Sequence, residues 1–294
     1  MLRKTVQWLN LLLSNAYLPG FWRGSIYKGK LKSVCVPGLN CYSCPGAIAS
    51  CPLGSLQASM GSGRHLIGFY VVGLLLGFGA LFGRFVCGFL CPFGLLQELL
   101  YKIPCPRPRK RTALDVRRWP RYIKYVVLAV FVVGLPLFTA RGTGLASPAF
   151  CKYICPSGTL TAGLPLLAAN RSLRAAAGAL FSWKLFVAVA IVLGCLLVLR
   201  FFCKYLCPLG AIYALFNRVA LYRLRLTPEN CVHCGACIRV CPMEVDPSSN
   251  PDSGECIRCG DCARACEFSA LHSGFAAGEG KKIARSCGLG TEDA

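Results

Sequence analysis

Residues 83–100 read GRFVCGFLCPFGLLQELL, and residues 199–216 read LRFFCKYLCPLGAIYALF. Each stretch has two cysteines separated by three residues, a proline directly after the second cysteine, and then a short apolar run. The corresponding cysteines are 116 residues apart, and they are Cys87 with Cys203 and Cys91 with Cys207. The chain therefore contains an internal repeat whose halves cover about residues 1–110 and 121–226.

A second Cys-Pro element precedes each of these stretches. CPLGSLQA at 51–58 matches CPSGTLTA at 155–162. Two halves related by a pseudo-twofold axis can bring matching cysteines together. The apolar run after each Cys-Pro is too short to cross a membrane, so we predict re-entrant half-helices with proline in the first turn. The N-terminal amides of such half-helices would face a bound anion.

The first cysteine constellation consists of the two C-x3-C-P pairs. Proline disfavours helical backbone at the residue before it, so we expect a span that ends at the first cysteine, a turn, and a new half-helix. Thiolates suit iron–sulfur clusters, and two symmetric pairs supply the four ligands that one cluster needs. The predicted ligands of this inner [4Fe–4S] cluster are Cys87, Cys91, Cys203 and Cys207. The alternative is a set of buried, inert cysteines.

The cysteines on the other side of the predicted spans allow more than one ligand set. Six thiols are available there, which exceeds the need of one cluster. By repeat symmetry Cys51 pairs with Cys155, and either Cys41 or Cys44 stands for Cys151. The preferred set is Cys44, Cys51, Cys151 and Cys155. The alternative set is Cys35, Cys41, Cys44 and Cys51. We therefore expect one or two clusters in a membrane domain that covers residues 1–226.

The composition places most of the chain in a membrane. The 294 residues are 55% hydrophobic and 15% charged, whereas about a quarter of the residues of a soluble domain are charged. Apolar runs at Leu66–Gly83, Tyr125–Ala140 and Ala175–Leu199 approach the roughly 20 residues that a spanning helix needs. Residues 1–22 are interpreted as a fourth span, with an amphipathic helix at the membrane surface as the alternative. We predict a membrane α-helical fold with about four transmembrane helices.

The distribution of charge predicts the orientation. Residues 1–228 carry 27 basic and two acidic residues, whereas residues 229–294 carry six basic and ten acidic residues. The densest basic cluster lies between Lys102 and Lys124, and basic loops face the cytoplasm. We therefore predict a multi-pass protein of the cell (inner) membrane with its C-terminal region in the cytoplasm. Because the basic residues flank apolar runs, we expect membrane lipid as a partner and no nucleic acid.

The C-terminal region carries the most specific motif. CVHCGACIRVCP at 231–242 and CIRCGDCARACE at 256–267 each have the spacing C-x2-C-x2-C-x3-C. In bacterial two-cluster ferredoxins the fourth cysteine of each run ligates the other cluster, and two zinc sites explain the doubled pattern less well. The predicted ligand sets are Cys231, Cys234, Cys237 and Cys266 for one [4Fe–4S] cluster, and Cys256, Cys259, Cys262 and Cys241 for the other. We predict an α+β ferredoxin domain over residues 227–275, followed by a flexible tail at 276–294.

Membrane C-x3-C-P units together with this ferredoxin tail resemble the polyferredoxin-type membrane iron–sulfur proteins. The motifs CGFLCP and CKYLCP and the tail cysteines resemble both the NapH-type quinol dehydrogenase subunit of periplasmic nitrate reductase systems and the membrane part of the regulator NosR. The resemblance covers nearly the whole chain and implies electron transfer. The additional cysteines between Cys35 and Cys51 depart from the pattern of the nitrate-reductase subunit.

The sequence lacks the binding motifs of other redox cofactors. The chain has no G-x-G-x-x-G between a strand and a helix and no C-x-x-C-H, so we expect no nicotinamide and no c-type haem. None of its three histidines lies in the middle of an apolar run, which argues against a bis-histidine membrane haem. The favoured interpretation places Glu98 at the interfacial end of a half-helix and His65 at the membrane edge, and the alternative for both is contact with a quinone.

These features favour electron transfer as the function. The leading prediction is a membrane-bound relay between a cytoplasmic donor, either ferredoxin-like or a reductase, and a redox partner in the membrane or at its outer face. Several clusters are needed because a bilayer core is about 30 Å thick. The first alternative is an enzyme, a quinol/quinone oxidoreductase subunit with its pocket near Glu98 or His65. The second alternative is an iron–sulfur redox sensor or maturation factor.

Overall fold

The computed structural model of the protein describes residues 2–60, 65–104, 119–144 and 146–275. The described part is mostly helical and carries one small strand pair near its C-terminal end. The tail predicted at 276–294, most of the basic loop after Lys102 and the side chain of His65 lie outside what the structure describes.

The helices follow the two halves of the repeat. The first half contains α1 (Leu2–Ser14), α2 (Pro19–Arg23), α3 (Pro52–Ser59), α4 (His65–Phe82), α5 (Phe85–Phe89) and α6 (Pro92–Lys102). The second half contains α7 (Ile123–Val127), α8 (Leu135–Thr143), α9 (Ala149–Tyr153), α10 (Leu164–Ala169), α11 (Arg171–Ala175), α12 (Ala179–Leu197), α13 (Phe201–Tyr205) and α14 (Pro208–Phe216). Short 3-10 turns lie at Lys30–Ser33 and Trp119–Tyr122, and π-helical stretches at Leu128–Gly134 and Gly158–Gly163 lead into α8 and α10.

Two helical stretches are long and apolar enough to cross a membrane, Trp119–Gly142 and Ala179–Leu197. Both leave large apolar side chains such as Phe138 and Phe186 exposed, as helices that face lipid do. Shorter apolar helices are Gly68–Phe82 and Gly158–Ala169. The described residues thus support membrane association through two candidate spans rather than the predicted four.

The N-terminal segment differs from the predicted fourth span. Helix α1 has 13 residues, and at a rise of about 1.5 Å per residue it is much shorter than a bilayer core of about 30 Å. Polar side chains attach α1 to the rest of the protein, because Gln7 donates to the carbonyl of Gly88 at 2.8 Å and Asn10 donates to that of Leu90 at 2.6 Å. These contacts agree better with the alternative, an amphipathic helix.

The Cys-Pro units begin helices. Cys51, Cys91 and Cys207 precede α3, α6 and α14 with extended backbone, and a proline occupies the first turn of each helix. The first cysteine of each of the three C-x3-C-P pairs lies in a separate five-residue helix, α5, α9 or α13, and not at the end of a span. Helix α4 ends at Phe82 because the backbone becomes left-handed at Gly83 (φ 55°). Helix α12 ends at Leu197, where Val198 is extended, and left-handed Arg200 (φ 57°) then precedes α13.

A two-stranded antiparallel sheet closes the C-terminal region. Strand β1 (Tyr222–Leu226) pairs with β2 (Leu271–Phe275). Between the strands lie the 3-10 turn Pro228–Asn230 and the short helices α15 (Ala236–Arg239) and α16 (Asp261–Arg264). Left-handed residues recur in equivalent positions, at His233 and Arg258, Gly235 and Gly260, and Glu244 and Ser269. Two equivalent loops therefore build this region, in agreement with its doubled cysteine motif.

One buried apolar core connects the membrane repeat with the C-terminal region. It extends from Cys35 through Val132 and Ile191 to Leu271. Helix α12 packs against α6, and α14 packs against α4 and α7, so elements of the two halves interleave. Cysteines of both halves and of the C-terminal region, such as Cys51, Cys207 and Cys256, belong to this core.

Candidate iron–sulfur sites

The cysteines of the two repeated pairs lie together in the interior of the protein. Each is at most 7% exposed, and their thiols interact electrostatically with one another. They belong to α5, to α13 and to the residues that precede α6 and α14, so each half contributes one pair. This group is called the inner site and consists of Cys87, Cys91, Cys203 and Cys207.

Hydrogen-bond donors point at the inner sulfurs. Gln97 Nε2 lies 3.1 Å from Cys203 Sγ, and the backbone nitrogen of Gly210 lies 3.4 Å from Cys207 Sγ. N–H groups directed at sulfur stabilise the thiolate form. A [4Fe–4S] cluster held by four thiolates is an anion whose potential depends on such hydrogen bonds, so the donors of the inner site fit this group.

Two arginines that are fully buried flank the inner site. Arg84 Nη2 donates to the carbonyl of Cys203 at 3.0 Å, and Arg200 Nη1 donates to the carbonyl of Cys87 at 2.8 Å. Each guanidinium also pairs with a carboxylate, which is Glu255 for Arg84 and Glu98 for Arg200. Because burial of an unpaired charge is costly, these partners are needed to keep both arginines inside.

The sequence did not single out these arginines, although it holds a signal for them. R-F-x-C occurs once in each half of the repeat, so the arginine stands three residues before the first cysteine both times. For Glu98 the sequence favours the interfacial end of a half-helix, with contact to a quinone as the alternative. In the structure Glu98 Oε1 lies 2.6 Å from Arg200 Nη2 and 3.2 Å from Arg3 Nη1, so the carboxylate is engaged in a buried ion pair.

A second cysteine group, called the outer site, is formed by the Cys151/Cys155 pair and cysteines of the loop before α3. Its members are Cys41, Cys51, Cys151 and Cys155. Cys41 Sγ and Cys155 Sγ lie 3.7 Å and 4.0 Å from the position that a Cβ on Gly158 would take, and Cys51 and Cys151 interact with Cys155. The thiol of Cys44 also interacts with that of Cys41. The side chain of Lys184 in α12 adds a positive charge beside Cys41 and Cys155. The amides of Ser157 and Gly158, at the start of the half-helix, interact with the thiol of Cys155.

Of the two cysteines that the repeat symmetry left open, the structure places Cys41 beside Cys155, whereas the preferred set contained Cys44. Cys44 is buried next to Cys41, where it lines a cavity. Cys35 lies apart, with its Sγ 3.5 Å from Ser55 Oγ. The mixed set of Cys41 with Cys51, Cys151 and Cys155 takes one cysteine from the alternative set and three from the favoured one.

One loop connects the outer and inner sites. The backbone amides of Leu39 and Asn40 are consecutive in the chain, and they interact with the thiols of Cys91 and Cys51 respectively. Tyr213 is fully buried near cysteines of both sites, and its hydroxyl donates to a carbonyl of the same loop at 2.9 Å. A single short backbone segment therefore contacts both sites.

In the C-terminal region, each predicted ligand set lines a cavity of its own. The proximal site consists of Cys241, Cys256, Cys259 and Cys262. The distal site consists of Cys231, Cys234, Cys237 and Cys266. The fourth cysteine of each motif thus lies with the first three cysteines of the other motif. Cys256 and Cys262 are buried, whereas Cys234 is exposed to solvent.

The proximal site packs directly on the inner site. The carbonyl oxygen of Ile257 lies 2.7 Å from the position that a Cβ on Gly88 would take, so only a residue without a side chain fits there. Asn217 is fully buried at the same junction. It donates to the carbonyl of Cys256 at 2.8 Å and accepts a hydrogen bond from the backbone nitrogen of Arg84 at 2.9 Å.

Glu255 adds a charged contact to this junction. One of its oxygens lies 2.8 Å from Arg84 Nη1, and the other accepts a hydrogen bond from Lys124. Burial raises the pKa of Glu255, but the charges of Arg84 and Lys124 together lower it more, so this pKa lies below its usual range. The ionised carboxylate holds the C-terminal region against the membrane repeat.

Among the residues that the structure describes, no three Cys, His, Asp or Glu side chains converge closely enough to hold a single metal ion.

Comparison with known proteins gives the same chemistry. Residues 64–112, 125–173 and 180–227 each match a family model described as a 4Fe–4S binding domain. Residues 225–245 match a second 4Fe–4S binding domain, and together the matches cover more than half of the chain. The chain belongs to a family of 4Fe–4S binding proteins. Each of the first three matched segments of this 4Fe–4S binding protein contains one C-x3-C-P unit.

Several curated proteins are similar to this 4Fe–4S binding protein. The putative electron transport protein YccM of Escherichia coli is 26% identical over 61% of this chain and 45% of its own length. The methylamine utilization ferredoxin-type protein MauN of Methylobacillus flagellatus is 32% identical over 65% of this chain and 60% of its own length. The regulatory protein NosR of Pseudomonas aeruginosa is 32% identical over 60% of this chain and 22% of its own length.

These relatives confirm the resemblance to NosR and support iron–sulfur electron transfer as the general chemistry of this 4Fe–4S binding protein. The chain spans less than two thirds of the length of the curated relatives that it matches. No solved structure matches it.

Proposed function

We propose that the protein is a membrane-bound electron relay with four [4Fe–4S] clusters, one in each cysteine group. The distal and proximal clusters would take the eight cysteines of the C-terminal region, and the inner cluster would take the two repeated pairs. The outer cluster would be ligated by Cys41, Cys51, Cys151 and Cys155. Each cluster supplies a one-electron redox centre, and the chain supplies its thiolates, amide donors and buried positive charges.

The observation that carries this proposal is the continuity of the four sites. Gly88 and Ile257 bring the inner and proximal sites into backbone contact. The amides of Leu39 and Asn40 lie against cysteines of the inner and outer sites. An electron that enters at the exposed distal site therefore has a route of adjacent sites into the interior of the membrane repeat.

The direction of electron flow along this route is inferred from the distribution of charge in the sequence. The basic flanks of the apolar segments favour a cytoplasmic C-terminal region and an outer site on the other side of the cell membrane. A soluble cytoplasmic donor, ferredoxin-like or a reductase, would then deliver electrons at the distal site. The acceptor would be a redox partner in the membrane or at its outer face.

Iron analysis of single-cysteine variants tests the relay. We expect about 16 iron atoms per chain in anaerobically purified protein, because four cubane clusters hold four each. Cys203→Ala should reduce this to about 12 iron atoms and remove one signal from the electron paramagnetic resonance (EPR) spectrum. The matched control is Cys195→Ala. Cys195 lies in α12 and is buried near the inner site, as Cys203 is, but it belongs to none of the four cysteine groups. A full iron content in Cys203→Ala would contradict an inner cluster.

A cavity of about 210 Å³ favours a second candidate function, that of a quinol/quinone oxidoreductase subunit. Its wall is mostly apolar and includes Leu11, Leu39, Phe93 and Leu96, with Asn40 and Thr161 as polar groups. Sites for small organic ligands have this composition. The cavity also reaches Cys44, next to the outer site.

Reoxidation by a soluble menaquinone analogue tests this second candidate. Leu96→Trp, which fills part of the cavity, should slow reoxidation of the dithionite-reduced protein by the analogue. Leu215→Trp is the matched control, because Leu215 of α14 is 63% exposed and lies outside the cavity wall. Equal rates in both variants would count against a quinone in this cavity.

A further inference from the structure

Arg84 and Arg200 occupy equivalent positions in the two halves of the repeat, and both are completely buried. Two permanent positive charges in the interior of an apolar protein are costly, and substitution by hydrophobic residues is often neutral or stabilising. Their repeated presence beside one cysteine group therefore calls for a role other than stability.

The contacts of the two arginines are reciprocal. Arg84 starts in the first half and donates to the carbonyl of Cys203 in the second half at 3.0 Å. Arg200 starts in the second half and donates to the carbonyl of Cys87 in the first half at 2.8 Å. Each arginine thus holds the cysteine-bearing helix of the opposite half, and the inner site is bracketed from both sides.

Both guanidinium groups also act on the inner thiols through their charge. Arg84 interacts electrostatically with Cys87 and Cys203, and Arg200 interacts with Cys203 and Cys91. Charge interactions are strong in a low-dielectric interior. Reduction adds one negative charge to an iron–sulfur cluster, so a nearby positive charge favours the reduced form and raises the potential.

The carboxylate partners break the symmetry. Arg84 Nη1 pairs at 2.8 Å with Glu255, which directly precedes Cys256 of the proximal site. Arg200 Nη2 pairs at 2.6 Å with Glu98, which lies in α6 and carries no cysteine of the C-terminal region next to it. Removal of Arg84 leaves Glu255 with Lys124 as its remaining cation. Arg200 is linked to the proximal site less directly, because Glu98 also pairs with Arg3, and Arg3 pairs with Asp261 beside Cys262.

We infer that Arg84 and Arg200 are positioning residues that set the reduction potential of the inner cluster, and that Arg84 also sets that of the proximal cluster through Glu255. This inference rests on the proposed function, since it requires clusters at both sites. It assigns the two arginines different effects although the repeat makes them equivalent.

Potentiometric titrations followed by EPR test the inference on the full-length holoprotein. Arg84→Gln and Arg200→Gln should both make the inner potential more negative, by about a tenfold change in the equilibrium constant for reduction, or roughly 59 mV for one electron. Arg84→Gln should also lower the proximal potential, and by more than Arg200→Gln does, because Glu255 is next to Cys256 whereas Glu98 reaches Asp261 only through Arg3. Arg218→Gln is the matched control, because Arg218 is exposed just beyond α14, and it should leave both potentials unchanged.

Further variants keep the test decisive if a buried glutamine prevents folding. Arg84→Lys and Arg200→Lys keep the charge and should keep the potentials near those of the wild type. Glu98→Gln removes the negative partner of Arg200 and should raise the inner potential, which is the opposite sign.

The outcomes separate this inference from the relay itself. Wild-type protein without an inner EPR signal and with too little iron would overturn the proposed function. The inference alone would be overturned if the protein has its full iron content but the inner potential is unchanged in both glutamine variants. If those variants do not fold, an unchanged inner potential in Glu98→Gln would overturn it. An equal shift of the proximal potential in Arg84→Gln and Arg200→Gln would overturn the role assigned to Glu255.

Discussion

At the scale of single residues, the outer site shows which ligands the internal repeat predicts and which it does not. The repeat pairs Cys51 with Cys155, and the structure brings these two together. The repeat leaves either Cys41 or Cys44 as the equivalent of Cys151, because the loop from Cys35 to Cys51 has no C-x3-C-P unit. Which of its other cysteines reaches the site depends on how this loop folds, and spacing does not determine that. In the structure Cys41 lies in the outer site, and Cys44 lies next to Cys41.

Serine variants of the two neighbouring cysteines distinguish them. We expect Cys41→Ser to lose one cluster, so that the iron content falls from about 16 to about 12 atoms per chain. Cys44→Ser is the matched control and should keep all its iron, because Cys44 only lines the nearby cavity. The reverse result, with iron lost from Cys44→Ser alone, would restore the preferred ligand set.

At the scale of elements, the Cys-Pro units could be predicted and the breaks before them could not. Proline fixes the first turn of α3, α6 and α14, and that constraint can be recognised in the sequence. The break before α13 occurs at Arg200, a residue that rarely adopts left-handed backbone. Its buried contacts with the opposite half hold it there, and such tertiary constraints leave no trace in local sequence.

The contact between α5 and the Cys256 loop yields a prediction at this scale. Gly88→Ala would place a methyl group 2.7 Å from the carbonyl oxygen of Ile257, so the two elements must move apart. We expect a loss of stability of about 1–3 kcal/mol, as for other overpacked sites, and slower electron transfer from the proximal to the inner cluster. Thermal unfolding and rapid-freeze EPR after reduction measure the two effects.

Gly77→Ala provides the matched control for this variant. Gly77 lies in α4, and a Cβ there would have no atom within 4 Å. Its stability and its transfer rate should therefore equal those of the wild type. If Gly88→Ala also behaves as the wild type does, the backbone contact is not part of the electron route.

At the scale of the whole molecule, the sites differ in access to solvent. Cys234 of the distal site is exposed, Cys256 of the proximal site is buried, and the inner cysteines are at most 7% exposed. The basic excess of residues 1–228 predicted membrane topology from its flanking positions. It did not reveal that some of these cations are fully buried next to thiols, since burial depends on how the two halves pack.

This gradient predicts the order in which iron is lost. On treatment with a ferric oxidant and a chelator, we expect the distal signal to disappear first, the proximal signal next and the inner signal last. Because bound metal stabilises the fold that binds it, the unfolding temperature should fall with each loss. Timed EPR samples with parallel calorimetry give both quantities. Simultaneous loss of all signals would mean that the chain unfolds as one unit before iron leaves.

The loop between the inner and outer sites constrains which changes of length the chain can tolerate. Leu39 and Asn40 are adjacent, so their α carbons are only about 3.8 Å apart, and their amides serve different sites. One inserted residue between them would turn an amide away from its sulfur. We expect natural relatives with both sites to keep this spacing free of insertions and deletions, even where the residues themselves vary.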